Sequence, residues 1–443
     1  MIDIKYLREK PEIFYSSSKA RGFDTTTLDK FFDLDREWRE NLKKINDLKH
    51  RKNQITASIS EAMKNGGDIQ ALREEVKGLN SNIDSLEERQ KIIETEREVI
   101  VRTIPNLLHD SVPVCKGDEN NVVVRHWGVA SVFRDDVDEY LNSTGKTGQY
   151  TLLDWKPQSH VDLMQKLDLA DLERAGRSAG SRFFYLKNRL VKLELALANY
   201  AVDFLSERGF NVVEPPYMLN YKAMAGATDM DTFKDTLYKI EGEDLYLIST
   251  SEHPIAAMYM DEIFEESSLP LRIAGLSPCF RKEAGAHGKD TKGIFRVHQF
   301  TKIEQFIFCH PDHSWDFLEE ILGNAEAIFQ SLKIPYRVVN VCSGELGNLA
   351  AKKFDIEAWF PAQGKFREVV SASNDTDYQA RSLGIRFRTK DGNRFVHTLN
   401  STAIATTRVM VAIMENFQAN DGSGIKIPEA LVPYTGFDFI PGN

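Results

Sequence analysis

The feature that most constrains this chain of 443 residues is a pair of heptad repeats between about residues 27 and 104. Steps of three and four residues from Phe31 reach ten positions, eight of them apolar, and a second series from Ile69 again gives eight apolar positions of ten. This spacing is typical of helices that pack as coiled coils. The turn Asn65–Asp68 separates the two series, and its glycines readily adopt positive φ. The sequence therefore predicts two helices that fold back as an antiparallel coiled-coil hairpin.

A basic stripe on this hairpin bears on its use. A bare coiled-coil arm is most often a dimerisation element or a spacer. Residues 43–54, however, carry five basic side chains against a single acid, Asp47. The five are Lys43, Lys44, Lys49, Arg51 and Lys52. On a chain of formal net charge −10, such a stripe suits the phosphate backbone of a nucleic acid. A solvated helix face is the alternative for any one of these residues.

Chain length and the position of two prolines predict two domains. A chain of 443 residues exceeds the usual size of a single domain. Two prolines in IPNLLHDSVPV, which begins at Ile104, end the helical periodicity. From about residue 150, long helical patterns alternate with short apolar runs. We expect an N-terminal domain over residues 1–105 and an α+β domain, built on an antiparallel sheet, over residues 106–443.

Cysteine usage and hydropathy exclude several classes of protein. The four cysteines are widely spaced and form no C-x-x-C pair, so we expect neither a disulfide framework nor structural zinc. No apolar run approaches the roughly 20 residues that span a bilayer. The N-terminus, MIDIKYLREKPEIF, has neither the apolar core of a signal peptide nor the acid-poor composition of a transit peptide. We expect a soluble cytoplasmic protein with no membrane partner.

Residues 278–306, PCFRKEAGAHGKDTKGIFRVHQFTKIEQF, carry the densest chemistry. Arg281 and Glu283 lie two apart in a presumed strand, where period-two geometry would put both side chains on one face. A guanidinium there can clamp a phosphate, while a carboxylate accepts from an amino group. The loop that follows, Ala284 to Phe295, is rich in glycine and charge.

Residues 397–418, HTLNSTAIATTRVMVAIMENFQ, form a second candidate segment. The pattern predicts a strand, a tight polar turn at Asn400–Ala403, and an apolar-periodic helix. Thr406 and Thr407 are expected to cap the start of that helix. Arg408 would then stand at a helix N-terminus, which favours anions.

These segments, with the weaker ERGFNVVEPPYML that begins at Glu207, resemble the three signature motifs of class II aminoacyl-tRNA synthetases. Residues 278–306 resemble the seryl-tRNA synthetase family almost position by position, and the likeness extends from MIDIKYLREKPEIF to PEALVPYTGF near the end. Many class II enzymes have a glycine-rich turn where this chain has Asn400–Ala403, a departure that matches a variant within the seryl family. The resemblance implies a ligase that activates serine with ATP and transfers it to the 3′-terminal adenosine of serine tRNA. It further implies a homodimer whose hairpin reaches the long variable arm of that tRNA.

The resemblance also assigns ligand contacts. Serine would be bound by Thr250, Ser251, Glu252, Arg281, Glu304 and Thr402. ATP would be bound by Arg281, Lys282, Glu283, Arg296, Val297, Phe300, Glu368, Val369, Val370, Ser371 and Arg408. Magnesium accompanying ATP would be held by Glu368 and Ser371. The loop from Ala284 to Phe295 would touch the tRNA acceptor end.

Several individual roles follow from the same likeness. Phe300 would stack on adenine, and the backbone of Val297 would meet the base. Glu304 would meet the amino group and the hydroxyl of serine, and a carboxylate in so apolar a stretch is expected to be paired or functional. The alternative role for Thr250 and Ser251 is purely structural, as a helix cap before HPIAAMYM.

Each alternative function predicts a sequence feature that can be checked. A class II relative that loads amino acids onto a carrier protein would lack the long hairpin. A synthetase-like protein without catalysis would have lost Arg281, Glu283, Glu304 or Arg408, and all four are present. A purely structural coiled-coil protein would not explain the ordered chemistry of residues 250–408. The metal-dependent seryl variant is disfavoured because no Cys/His/Glu set suggests a zinc ligand.

Overall fold

The computed structural model describes residues 1–230, 235–283 and 292–442. The chain divides into two compact units, Met1–Pro105 and Asn106–Asn443. The helices of the first unit are α1 (Ile4–Glu9), α2 (Pro11–Ala20), α3 (Thr26–Lys64) and α4 (Gln70–Thr103).

Helices α3 and α4 pack along their length as the predicted antiparallel hairpin. The apolar seam includes the buried Phe31, Ile45, Leu79 and Ile93. The polar Asn41 also lies in this seam, and its side-chain amide donates to the Gln90 carbonyl oxygen at 2.8 Å and to the Leu86 backbone at 2.9 Å. Asn41 and Gln90 interrupt the two heptad series in the sequence, and in the seam they are hydrogen-bonded to each other.

A buried carboxylate ties the hairpin to the short N-terminal helices of the same unit. Asp35 of α3 is fully buried and lies 2.5 Å from Arg8 of α1 and 3.3 Å from Arg97 of α4. Arg97 also sits 4.4 Å above the ring of Trp38. A buried charge needs such partners, so Asp35 locks three helices in one arrangement.

The second unit is built on one large sheet of eight strands and several small sheets. The strands of the unit are β1 (Val122–Trp127), β2 (Val129–Phe133), β3 (Gln149–Leu153), β4 (Ala170–Asp171), β5 (Tyr185–Leu186), β6 (Asn211–Val213), β7 (Met218–Leu219), β8 (Tyr246–Leu247), β9 (Ile263–Glu265), β10 (Leu271–Phe280), β11 (Gln299–Cys309), β12 (Tyr336–Asn340), β13 (Lys352–Phe360), β14 (Lys365–Thr376), β15 (Arg386–Thr389), β16 (Gly392–Phe395), β17 (His397–Ala405), β18 (Gly424–Lys426) and β19 (Phe439–Pro441). The large sheet has the order β1-β12-β13-β14-β17-β11-β10-β6. Its neighbouring strands are antiparallel except β10 and β6, which are parallel.

Helices cover this sheet and supply its apolar core. They are α5 (Val137–Ser143), α6 (His160–Lys166), α7 (Leu172–Ser178), α8 (Arg189–Ser206), α9 (Tyr221–Ala227), α10 (Glu252–Met258), α11 (Ser314–Ser331), α12 (Tyr378–Leu383), α13 (Thr406–Asn416) and α14 (Val432–Thr435). Apolar side chains of α8, α11 and α13 pack with strands of the large sheet in one continuous core. On the other face of the sheet, Ile273, Phe306 and Phe308 of the central strands pack with α10 and α12 in a second core.

The predicted fold class is confirmed: an N-terminal helical hairpin accompanies an α+β unit on a mainly antiparallel sheet. Among the described helices, none is both long and apolar enough to cross a bilayer. The central strands β14, β17, β11 and β10 are adjacent, so residues distant in sequence meet at their ends.

Candidate active site

A cleft of about 460 Å³ opens beside the central strands of the second unit. Seven residues predicted to bind ligands line it. They are Thr250, Glu252, Arg281, Glu283, Arg296, Glu368 and Arg408. A smaller recess shares Arg281, Glu283, Arg296 and Arg408 with the cleft and is also lined by Phe295, Val297, Phe300 and Thr407. The structure thus gathers both the phosphate-binding and the adenine-binding candidates around one opening.

Three guanidinium groups from separate segments of the chain converge on this cleft. Arg296 lies 2.7 Å from the Glu283 carboxylate, and Arg408 of α13 lies 3.1 Å from the Glu368 carboxylate. Arg281 donates to the Ser249 backbone at 3.2 Å, and its guanidinium is 5.2 Å from the centre of the Phe300 ring. Guanidinium groups held by fixed partners are well suited to bind a polyphosphate.

Strand β11 places a buried ion pair beside the cleft. The Lys302 ammonium lies 2.6 Å from the Glu304 carboxylate, and both side chains are almost fully buried. The ladder sets Thr402 of β17 directly opposite Glu304, and the Thr402 hydroxyl donates to the same carboxylate at 3.3 Å. Lys302 was not among the predicted site residues. Its position two residues before Glu304, on the same face of the strand, is the signal that could have found it.

Glu252, at the start of α10, is the second carboxylate of this region. It accepts a hydrogen bond from the Gln379 amide at 2.8 Å. Burial, together with the nearby charge of Glu304, raises the pKa of Glu252 to about 7. The next residue, His253, also lines the cleft, and burial together with Lys302 and Arg281 lowers its pKa to about 3. Its imidazole is therefore neutral at physiological pH.

The two residues before α10, Thr250 and Ser251, have different positions: one lines the cleft and the other is buried behind it. Thr250 lines the cleft, and its hydroxyl accepts from the Glu252 backbone N–H at 3.2 Å. Ser251 is fully buried and donates to the Gly275 backbone at 3.2 Å. A Cβ on Gly275 would stand 2.7 Å from the Ser251 hydroxyl oxygen, so this close approach requires glycine. Ser251 supports the site from beneath and does not line it.

The predicted magnesium ligands lie on β14. The Glu368 carboxylate is half-exposed, and although burial opposes ionisation, Arg408, Lys353 and Arg281 lower its pKa. Ser371 stands opposite the buried Asp355 of β13, whose pKa burial raises to about 7 with help from the Glu368 charge. Within residues 1–230, 235–283 and 292–442, no group of three or more His, Cys, Asp and Glu side chains could hold a metal. An oxygen pair such as Glu368 and Ser371 fits magnesium, which keeps waters and substrate phosphates as its other ligands.

Three further predicted ATP contacts have side chains directed elsewhere. Val369 and Val370 belong to the apolar core, so a nucleotide would meet only their backbone. The backbone N–H of Lys282 donates to Thr236 at 2.9 Å, and its ammonium is 5.6 Å from the centre of the Tyr238 ring. The part of the glycine-rich loop from Ala284 to residue 291, predicted to touch the tRNA acceptor end, lies outside the described residues.

The expectation that Arg281 and Glu283 share a strand face is wrong. Strand β10 ends at Phe280, and Glu283 has a φ of +50°. The ladder between β10 and β11 ends at the Phe280–Gln299 pair, and the positive φ of Glu283 takes its side chain out of the strand alternation. Both side chains nevertheless reach the cleft.

The expected turn at Asn400–Ala403 is also wrong. Strand β17 runs through it to Ala405, where it pairs with Lys302, and α13 begins directly at Thr406. Among the described residues, no side chain makes a capping hydrogen bond to this helix. Because the helix begins at Thr406 itself, the N-cap position falls on Ala405, and the Thr406 hydroxyl donates to Glu194 of α8 at 3.0 Å.

The basic stripe lies on α3 of the first unit and is not uniform. Lys49 lies 2.7 Å from Glu87, and Arg51 lies 2.5 Å from Glu75, both on α4. Among the described residues, no salt bridge within 4.0 Å involves Lys43, Lys44 or Lys52. Lys43 and Lys44 are exposed, whereas Lys52 is partly buried. Lys43 and Lys44 therefore offer the stripe's most available charge.

Comparison with known proteins gives concordant matches over the chain. The seryl-tRNA synthetase N-terminal domain family matches residues 1–108, and the tRNA synthetase class II core domain family (G, H, P, S and T) matches residues 234–417. A serine–tRNA ligase from Picrophilus torridus is 67% identical over 443 residues, with 100% of both chains covered.

Two solved structures are similar over the same extent. The crystal structure of seryl-tRNA synthetase from Pyrococcus horikoshii complexed with ATP has a TM-score of 0.97 and 49% identity, with 100% of both chains covered. That of cytoplasmic serine-tRNA ligase from Naegleria fowleri in complex with AMP has a TM-score of 0.86 and 40% identity, covering 100% of this chain and 99% of that one.

The raised pKa of Glu252 predicts a pH-dependent contribution to stability. Folding raises this pKa from its ordinary value of 4.5 to about 7, so the folded chain holds the proton more tightly than the unfolded chain. The contribution is fully present below pH 4.5 and is lost as the pH rises to about 7. Glu252→Gln does not titrate but keeps an oxygen for Gln379. We expect the free energy of unfolding of this variant to rise relative to the parent protein between about pH 5 and about pH 8.

Urea unfolding across that pH range measures the difference. Glu262→Gln, at an exposed neighbouring position, serves as the matched control and should show no such trend. A constant difference between Glu252→Gln and the parent protein at every pH would contradict the buried environment described for Glu252.

Proposed function

The chain belongs to the seryl-tRNA synthetase family, and from that premise we propose that it is a serine–tRNA ligase whose active site is the cleft of the second unit. The observation that carries the assignment of the site is the convergence of Arg281, Arg296 and Arg408 on one opening. A positively charged recess beside a buried carboxylate is what joining an amino acid to a nucleotide requires.

The reaction has two steps. In the first, the carboxylate of serine attacks the α-phosphorus of ATP, and pyrophosphate leaves as seryl-adenylate forms. In the second, the 3′-hydroxyl of the terminal adenosine of tRNA takes the seryl group, and AMP leaves. No side chain forms a covalent bond to the substrate, so catalysis rests on positioning and on stabilising phosphate charge.

We assign the phosphates to the arginines. Arg281 would hold the α-phosphate, where charge develops in the first step, and Arg296 and Arg408 would hold the terminal phosphates. Ion pairs with Glu283 and Glu368 hold Arg296 and Arg408 beside the cleft. Glu283 would exchange Arg296 for the adenine amino group. Magnesium, held by Glu368 and Ser371, would neutralise phosphate charge when bound.

We assign the amino acid to the carboxylates. Glu304 is buried near a second carboxylate, Glu252, and the ion pair with Lys302 compensates part of the charge of Glu304. The oxygen atoms left on these two acids suit the ammonium and the hydroxyl of serine. Thr250, lining the cleft, and Thr402, bonded to Glu304, supply further hydroxyls. A site that hydrogen-bonds a substrate hydroxyl rejects the analogue without it.

The two units divide the work in our proposal. The first unit, residues 1–105, would bind the long variable arm of serine tRNA through Lys43 and Lys44, with Lys49, Arg51 and Lys52 in support. The second unit, residues 106–443, would carry catalysis and dimerisation. Exposed apolar side chains at Val191, Leu195 and Val212, on α8 and β6, support a homodimer. We expect the enzyme to work in the cytoplasm.

Amino-acid activation tests the proposed site directly. The full-length protein should catalyse ATP–pyrophosphate exchange with serine, weakly with threonine and least with alanine. Loss of the hydroxyl in alanine leaves buried polar groups unpaired, which costs about 10⁴–10⁵-fold, whereas one extra methyl costs about 10–200-fold. Glu304→Gln should lower kcat/KM for serine by about 10²-fold, because a charged hydrogen-bond acceptor is lost.

The matched control is Glu319→Gln, an exposed site on α11, which should leave exchange unchanged. Activation of alanine above threonine would contradict the pocket. Absence of serine-dependent exchange in the parent protein would contradict the proposed function.

Charging of tRNA tests the basic stripe separately. Lys43→Ala with Lys44→Ala should raise KM for serine tRNA several-fold and lower the slope of log affinity against log salt by about 2, since each lysine neutralises about one phosphate. Serine-dependent exchange without tRNA should not change. Replacing two exposed lysines of the second unit, Lys365 and Lys390, by alanine is the control for net charge. Unaltered charging by the α3 variant at all salt concentrations would contradict a role for this face.

A further inference from the structure

Two cysteines outside the reaction chemistry lie on segments that are fastened together. The Cys115 carbonyl oxygen accepts from the Gly344 N–H at 3.1 Å and from the Ser343 hydroxyl at 3.3 Å. The Ser343 N–H donates to Pro113 at 2.9 Å. A Cβ at Gly344 would stand only 2.9 Å from the Cys115 oxygen, so glycine permits this contact. These bonds hold the backbone beside Cys115 against the residues that follow Cys342.

Both thiols are bonded to the short turn that follows Cys115. The Cys342 thiol donates to the Gly117 carbonyl at 3.3 Å, and the Cys115 thiol donates to the Asn120 carbonyl at 3.5 Å. Each sulfur therefore points into the same short turn after Cys115. Burial, together with the neighbouring Cys342 thiol, raises the pKa of Cys115 to about 11. Cys342 is fully buried, whereas Cys115 is partly exposed and can meet a small reagent.

The chain beyond Cys342 forms one wall of the catalytic cleft. Residues 346–350 line it, and within this run the Asn348 amide lies 2.5 Å from the carboxylate of Asp229. A covalent tie at Cys342 would therefore restrain the start of a segment that shapes the cleft.

We propose that Cys115 and Cys342 form a modification site. A low-molecular-weight disulfide oxidises the two thiols to an intramolecular disulfide, and this bond restrains the wall of the cleft. The Cys115 thiolate attacks the reagent, forming a mixed disulfide and releasing one small thiol. The Cys342 thiolate then attacks the Cys115 sulfur and releases the second small thiol. Two protein thiols lose two protons and two electrons, and the reagent is reduced to two thiols, so the exchange balances.

The remaining cysteines are internal controls. Cys279 and Cys309 are fully buried on β10 and β11, and burial raises the pKa of each thiol. Neither borders another cysteine among the described residues, so both should stay in the thiol form.

Peptide mapping of the full-length protein after incubation with oxidised glutathione tests the proposal. We expect one Cys115–Cys342 disulfide within a single chain, reversed by dithiothreitol. It should form in the Cys279→Ser, Cys309→Ser double variant and be absent from Cys115→Ser and Cys342→Ser. Reaction should be faster at alkaline pH, where more of the thiol is ionised.

A second readout reports the consequence. The oxidised protein should unfold about 3 °C or more above the reduced protein, because the link restricts the unfolded chain, while Cys115→Ser shows no shift. Serine-dependent exchange should stay within about twofold of the reduced enzyme, since no group that contacts a substrate changes. A stable glutathione adduct on Cys115, a disulfide between chains, or an intramolecular disulfide without a thermal shift would each overturn the proposal.

Discussion

The antiparallel ladder of β13, β14, β17, β11 and β10 holds the candidate site together, because it fixes the register of residues that are far apart in sequence. Glu304 stands opposite Thr402 across one strand pair, and Ser371 stands opposite Asp355 across another. A slip of one residue would turn each of these side chains to the other face of the sheet. The apolar cores on both faces resist such a slip, so core packing and site geometry depend on one another.

Ion pairs also fix the positions of the charged side chains in the site. In the low dielectric of the interior, an unpaired charge is costly, and the site pairs its acids and bases in a graded way. Lys302 and Glu304 are buried together, whereas Glu368 and Arg408 lie nearer to solvent. The buried pair suits a small, fixed ligand such as an amino acid. The outer pairs can exchange partners when a polyphosphate arrives.

The sequence predicted the parts of the molecule that depend on local pattern. Heptad spacing was enough to predict the hairpin of α3 and α4, because seam packing follows directly from periodicity. Family likeness named Arg281, Arg296 and Arg408, and the fold brings them to one cleft. Where tertiary contacts overrode local preference, the predictions failed. Asn400–Ala403 looks like a turn, but pairing with β11 keeps it in a strand. Thr406 looks like a cap, but strand β17 continues to Ala405, so the helix begins at Thr406 and the cap position falls on Ala405.

A crystal structure of the protein with ATP and serine tests the central claim most directly. The account predicts the adenine against Phe300, the phosphates among Arg281, Arg296 and Arg408, and the serine ammonium beside Glu252 and Glu304. It also predicts that Glu283 and Arg296, which are 2.7 Å apart in the present structure, separate as each residue turns to the nucleotide. A nucleotide bound elsewhere, or bound here while that pair stays intact, would contradict it.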